Sequence, residues 1–242
     1  MNKDKLNGYV EEYNKNGFTT VPVFDEDQTI FLENFAQDWI YGLIERQSSK
    51  AIDRAKYPLD QYHTWWEEYG VDHNELFRAA NRYVAPDGEL KDILLSENIY
   101  QFLQEIQKDD LELWADPGLG WFGFRMVRPG MNDGYPASCK NWGAAAGVIS
   151  IWLPIKGLSS NETLALVPGS HLRKYEKYLP ENSKFTIGEF RLAPTETVVF
   201  TRPELNRGDI IFYDSGTLHT ENVTDSPITR LNLEYRFMPT KK

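Results

Sequence analysis

The chain has 242 residues, enough for one large domain with a sizeable core and short for two independent ones. Its formal net charge of −10 disfavours nucleic acid as the main partner, because phosphate binding needs a basic surface. A single cysteine excludes an intramolecular disulfide and favours a reducing compartment. The sequence has no apolar run long enough to predict a membrane span, and its N-terminus lacks the apolar core of a secretory signal. We therefore expect a cytoplasmic protein whose partner is a small molecule, with its oligomeric state open.

The first half of the chain carries helical patterns. Apolar residues recur at helical spacing over residues 28–46, and residues 73–84 and 96–108 show similar periodicity. The intervening residues 57–72 are aromatic and irregular. This pattern predicts that residues 1–118 form a mostly helical cover.

From Trp121 onward the pattern changes to short β-like runs separated by Pro, Gly, Asn and Asp. The runs read WFGFRMV, GVISIWLPI, TLALV, TVVFT, DIIFYD and ITRLNLEYRF. Many short runs with turn signals between them are typical of an antiparallel jelly roll. We therefore predict one α+β, mainly β domain over residues 1–242, with a β core formed by residues 119–242.

Two polar side chains near the C-terminus suit ligand chemistry. His219 follows the DIIFYD run, and Arg230 lies in the last run. If these runs form a β-hairpin, both side chains reach the same mouth of a barrel. A neutral imidazole can ligate a divalent metal, and a guanidinium can clamp a carboxylate through two hydrogen bonds.

The order of these motifs resembles the phytanoyl-CoA dioxygenase-like family of iron(II)/2-oxoglutarate oxygenases. The segments that carry the resemblance are LALVPGSHLR, GDIIFY, the His219–Arg230 pair, YNKNGFTTVPVF, RMVRPG and VISIWLPI. The resemblance implies a double-stranded β-helix (jelly-roll, cupin-like) with an N-terminal strand and a helical layer. It also implies that His219 ligates the metal and that Arg230 binds 2-oxoglutarate or another small carboxylate. Thr217 and Trp152 are further candidates for lining the cofactor pocket.

The segment that should carry the other two iron ligands departs from the family pattern. The family places a His-x-Asp (or Glu) pair here, whereas residues 132–143 contain no histidine. Alignment on the flanking proline and tryptophan puts Ser138 and Lys140 at the ligand positions, and a one-residue shift offers Cys139 and Asn141 instead. Serine binds a divalent metal poorly, and a lysine cation repels it. We therefore expect that iron is not bound in the usual way.

Three functions remain open at this point. The first is a protein with a degraded iron site that binds a small anionic ligand, with Lys140 as a candidate catalytic amine. The second is an active iron(II)/2-oxoglutarate dioxygenase that hydroxylates a small molecule. Its rebuilt ligand set would be drawn from Asp133, Asp214, Cys139 and His63. The third is a non-catalytic structural or regulatory partner that uses Trp65 and Trp66 as a contact face.

Overall fold

A computed structural model describes residues 3–81, 88–107, 110–114, 122–131, 133, 147–178, 191–193, 195–221 and 226–240. Within these ranges the helices are α1 (Lys3–Asn16), α2 (Glu26–Ser48), α3 (Tyr62–Trp65), α4 (His73–Asn81), α5 (Gly88–Leu94) and α6 (Glu97–Ile106). The strands are β1 (Phe18–Pro22), β2 (Leu111–Leu113), β3 (Phe122–Val127), β4 (Ile149–Lys156), β5 (Ala165–Leu166), β6 (Lys177–Tyr178), β7 (Arg191–Leu192), β8 (Asp209–Asp214), β9 (His219–Thr220) and β10 (Arg230–Pro239).

The long helix α2 confirms the helix predicted over residues 28–46. It begins at a capping box, in which the Asp25 side chain accepts from the Gln28 backbone and the Gln28 side chain accepts from the Asp25 backbone. Its buried face repeats at intervals of three and four residues and packs in the core. Helices α4 and α6 confirm the other two predicted helices over their described residues.

The main sheet is antiparallel and runs in the order β1-β8-β4-β10, with β3 and β2 both pairing with the far edge of β10. A short ladder joins β5 to β9, and a further two-stranded ladder joins β6 to β7. The predicted mostly antiparallel sheet with helices is therefore confirmed. The TVVFT run is an exception, because it contributes a single bridge, from Thr201 to Leu166, instead of a regular strand.

The predicted hairpin between the DIIFYD run and the last run is wrong. Strand β8 pairs with β1 and β4, and β4 lies between β8 and β10. His219 lies on β9, which leaves the main sheet and pairs with β5. Two hydrogen bonds to the PGSH turn cause this placement. The Leu218 N–H donates to Ser170 Oγ (2.8 Å), and the Leu218 carbonyl accepts from Val167 N (2.9 Å). These bonds hold the chain away from β10.

The helical half also contributes to the sheet, through β1 and β2. The aromatic segment between α2 and α4 packs inward: Trp65 is buried in the core, and Trp66 is half-buried beneath the guanidinium of Arg128. The interpretation of this pair as an exposed contact face is therefore wrong for Trp65. None of the described helices has an apolar stretch long enough to cross a lipid bilayer.

Two of the sequence motifs contact each other around Gly17. The Gly17 carbonyl accepts from Asp214 N (2.8 Å) and from Thr217 Oγ1 (2.9 Å). In the PGSH turn, His171 Nε2 lies 3.2 Å from the Asn14 carbonyl. A Cβ added to Gly17, whose φ is +81°, would overlap the side chains of His171 and Thr217. The N-terminal strand entry and the PGSH turn thus fix each other and the start of β9.

We expect Gly17→Ala to lower the free energy of unfolding by roughly 2–4 kcal/mol, because a positive φ and overpacking both oppose the added methyl group. Urea denaturation measures the change. Gly8→Ala is the matched control, since a Cβ at Gly8 in α1 meets no atom within 4 Å. It should leave the protein equally or slightly more stable. Equal effects of the two substitutions would contradict the packing described for Gly17.

Candidate functional site in the interior of the sheet

Strand β10 separates the core from the candidate site by simple alternation. Leu231, Leu233, Tyr235 and Phe237 point to one face and pack with the helices in the main apolar core. The alternate positions lie on the opposite face, towards β9, and carry polar side chains: Arg230, Asn232, Glu234 and Arg236. On β4, in the same way, Trp152 lies on this second face, while its two neighbours pack in the main core. The interior face is therefore polar and buried.

An ion-pair network occupies one end of this interior face. Glu234 Oε2 accepts from Arg125 Nε (2.9 Å), and Glu234 Oε1 accepts from Arg236 Nη2 (2.7 Å) and from the Tyr213 hydroxyl (2.8 Å). Burial alone would raise the pKa of Glu234, but the guanidinium groups of Arg125 and Arg236 outweigh it, and the pKa lies well below 4.5. Glu234 is therefore ionised and ties β3, β8 and β10 together.

A second carboxylate, Glu221, follows β9 and joins this network. Its Oε1 lies 3.2 Å from Arg125 Nε, and its Oε2 lies 3.8 Å from Arg230 Nη2. Burial raises the pKa of Glu221, and the charge of Arg125 opposes that rise. Glu221 therefore lies between two guanidinium groups and connects the ion-pair network to Arg230.

Arg230 is fully buried, and its guanidinium is only partly paired. Nη1 donates to the Glu162 carbonyl (3.2 Å), whereas Nε and Nη2 have no hydrogen-bond partner among the described residues. The guanidinium lies over the ring of Trp152, with Cζ 5.5 Å from the ring centroid. Burial lowers the pKa of Arg230 to about 10, so it remains a cation at neutral pH. A buried guanidinium with free donors is suited to an anionic ligand.

Two neighbours of Arg230 share this property. The Trp152 indole nitrogen and both polar atoms of the Asn232 amide are buried, and none of these atoms finds a hydrogen-bond partner within the described part of the chain. Buried polar groups are normally paired, because an unpaired one carries the full cost of its desolvation. The predicted cofactor residues Arg230 and Trp152 are therefore brought together, and Asn232 is an addition that the sequence analysis missed.

Thr217, the third predicted cofactor residue, orients His219. Its hydroxyl donates to the Gly17 carbonyl, and its own carbonyl lies 2.8 Å from His219 Nδ1. A carbonyl can only accept, so Nδ1 carries the proton and Nε2 keeps its lone pair. Direct contact of Thr217 with a cofactor stays a prediction.

His219 lies against the ring of Tyr213, with 4.9 Å between the ring centroids. Burial lowers the pKa of His219 below 6.5, and the nearby Arg236 and Arg125 lower it further. The imidazole is therefore neutral at pH 7. Both guanidinium groups are paired with the Glu234 carboxylate, so a buried ion-pair network borders this candidate metal ligand.

Three of the four side chains named as replacement metal ligands are hydrogen-bonded to other groups. Asp133 is held by Arg128 through two side-chain hydrogen bonds (2.7 and 2.8 Å). Asp214 Oδ1 accepts from Gly216 N (2.6 Å), and His63 bonds to Thr229. Across the described ranges, no three His, Cys, Asp or Glu side chains lie close enough together to hold a metal ion.

Four further predicted site residues lie outside the described residues: Ser138, Cys139, Lys140 and Asn141. The predicted loss of the His-x-Asp ligands and the predicted role of the Lys140 amine therefore stay predictions.

Several solved structures share this fold. The structure superposes on the epimerase SnoN in complex with Fe3+, alpha ketoglutarate and nogalamycin RO, with a TM-score of 0.61 and 14% identity over 98% of this chain and 85% of that chain. It matches EvdMO1 with a TM-score of 0.64 and 18% identity over 98% of this chain, which spans 50% of that chain. The non-heme alpha ketoglutarate dependent carbocyclase SnoK gives a TM-score of 0.59 and 14% identity over 99% of this chain and 84% of that chain.

No protein-family model matches the sequence, and no curated protein matches it. At these identities the structural likeness shows a shared fold and leaves the activity to be argued from the site. The chain has the fold of SnoN and SnoK, which are non-heme, alpha ketoglutarate dependent enzymes.

Proposed function

We propose that this protein binds a small carboxylate in the interior of the sheet, with Arg230 as the carboxylate-binding group, and that it does so without the usual iron site. The observation that carries the proposal is the fully buried guanidinium of Arg230, whose Nε and Nη2 lack a partner among the described side chains and backbone. A carboxylate accepts two parallel hydrogen bonds from such a group. The indole N–H of Trp152 is available as a third donor.

The finer assignments belong to the same proposal. We propose that residues 1–242 form one cytoplasmic domain whose two ladders, β5–β9 and the main sheet, form a double-stranded β-helix related to the phytanoyl-CoA dioxygenase-like proteins. The fold shared with SnoN and SnoK supports this relation. The ion pairs of Arg125 and Arg236 with Glu234, beside His219, support a site in which a network of protein charges lies near the expected metal position.

The test is carboxylate binding to Arg230→Met, measured by titration calorimetry and ligand-observed NMR with propionate, pyruvate, L-lactate, L-alanine and 2-oxoglutarate. We expect the substitution to weaken the best ligand by roughly 10–100-fold, because hydrogen bonds to a charged group are lost. Arg173→Met, at an exposed arginine, is the control and should leave binding unchanged. Failure of every probe to bind the unmodified protein would refute the proposal.

The alternative is an active iron(II)/2-oxoglutarate dioxygenase. The tautomer of His219 favours it, since Nε2 is the nitrogen left with a lone pair for a metal. Measuring the iron content and 2-oxoglutarate turnover after anaerobic reconstitution with Fe(II) separates the two functions. Our proposal expects no stoichiometric iron, whereas one tightly bound iron per chain with turnover would establish the alternative.

A further inference from the structure

A carboxylate oxygen faces the carboxylate-binding arginine. Glu221 Oε2 lies 3.8 Å from Arg230 Nη2, is buried, and has no hydrogen-bond partner in the described ranges. The other oxygen, Oε1, lies 3.2 Å from Arg125 Nε, so Arg125 is the nearer of the two guanidinium groups. Oε2 therefore accepts no hydrogen bond from a described residue and lies at ion-pair distance from Arg230, in the space around that guanidinium.

The unpaired atoms around this space are of both kinds. The donors are Arg230 Nε and Nη2, Trp152 Nε1 and Asn232 Nδ2, and the acceptors are Glu221 Oε2 and Asn232 Oδ1. A plain carboxylate supplies acceptors only, so it would pair the donors and leave Glu221 Oε2 unpaired. A ligand that pairs the whole set needs a hydrogen-bond donor as well.

We infer that Glu221 makes this site selective for a carboxylate that carries an ammonium or hydroxyl group on the neighbouring carbon, as in an amino acid or a hydroxy acid. The inference rests on the proposed role of Arg230 and adds the ligand class. 2-Oxoglutarate carries two carboxylates and a ketone at pH 7 and has no donor to offer to Glu221. It is therefore a poor ligand for this site.

The test compares ligands that differ at a single carbon. Propionate, pyruvate, L-lactate and L-alanine share three carbons and carry hydrogens, an oxo group, a hydroxyl group or an ammonium group at C2. We expect L-lactate or L-alanine to bind the unmodified protein about tenfold or more tightly than propionate, pyruvate or 2-oxoglutarate. The stronger of the two distinguishes a hydroxyl donor from an ammonium donor.

Glu221→Gln provides the second arm. The amide oxygen is expected to face the nearer guanidinium, that of Arg125 (3.2 Å, against 3.8 Å for Arg230), so the amide N–H₂ replaces Oε2. The variant should lose the tenfold preference, because a donor then faces the donor of the ligand. Glu105→Gln, at an exposed position on α6, is the control and should retain the preference.

The outcomes separate this inference from the proposed function. Equal affinity for all the probes, with binding still dependent on Arg230, would overturn the role of Glu221 and leave the carboxylate site intact. Tighter binding of 2-oxoglutarate than of L-lactate and L-alanine would also overturn it. Absence of all binding would refute both. The ligand series on the unmodified protein decides the question even if the Glu221 variant fails to fold.

Discussion

Replacing Glu234 with leucine is expected to lower the free energy of unfolding by about 3–5 kcal/mol, the cost of removing one partner from a buried ion pair. Glu234 pairs with Arg125 and Arg236 and accepts from the Tyr213 hydroxyl, so the variant removes the anion that two guanidinium groups share and the acceptor of a buried hydroxyl group. Urea unfolding followed by circular dichroism measures the loss. The same substitution should also loosen the packing around His219. Tyr213 packs on the His219 ring, and its hydroxyl loses its acceptor.

Two comparisons separate the contributions of charge and hydrogen bonding. Glu234→Gln keeps an acceptor for Tyr213 and removes the charge, so its stability should lie between those of the leucine variant and the unmodified chain. Glu26→Ala breaks the exposed ion pair with Arg207 and should leave the unfolding midpoint unchanged. A leucine variant as stable as Glu26→Ala would show that the interior network does not hold the sheet together.

The second large effect concerns Asp133, which joins the end of β3 to the helical cover. It accepts from the backbone (2.9 Å) and the side chain of Arg128, and its Oδ2 lies 3.3 Å from His73 Nε2 at the start of α4. Burial alone would raise the pKa of Asp133, but the hydrogen bonds from Arg128 and His73 outweigh it, so the pKa lies well below 3.8. Asp133→Asn should cost on the order of 3 kcal/mol at neutral pH.

The sign of the pH dependence follows from that lowered pKa. A carboxylate with a depressed folded pKa stabilises the protein fully above its unfolded pKa of 3.8, and the contribution disappears as the pH falls below that value. The free energy of unfolding of the unmodified protein should therefore drop between about pH 5 and pH 3, and that of Asp133→Asn should drop less steeply. Urea titrations across this range measure both slopes, and parallel curves would contradict the role of Asp133.

The elements of this fold that the sequence predicts well are those with strong local patterns. Helix α2 has a capping box and a regular apolar face, β4 and β8 are dense in β-branched and aromatic residues, and β10 alternates polar and apolar residues. Strand β9 was missed, because its two residues are polar and pair through contacts with a distant turn. The pairing partner of β8 was mistaken for the same reason: local runs do not specify which strand lies between two others.

The candidate site was predicted in part. His219 and Arg230 were singled out by spacing and resemblance, and Trp152 by adjacency to them. The interior charges of Arg125, Glu221 and Glu234 were missed, although the last run reads as alternating polar and apolar residues. That period-two pattern in a strand buried on both faces predicts a polar interior, and it was the available signal. Which carboxylate meets which guanidinium depends on long-range packing and is absent from the sequence pattern.

The alternation along β10 has a consequence for how such proteins diversify. From residue 230 to residue 237, the odd-numbered positions pack in the main core and the even-numbered positions carry the polar groups of the interior. Exchanging an interior side chain outside the Glu234 ion-pair network leaves the apolar partners of the helices untouched, so such a group can change without disturbing the core. An inserted or deleted residue has the opposite effect, because it would invert both faces at once. Proteins that share this strand are therefore expected to differ there by substitutions and not by insertions or deletions.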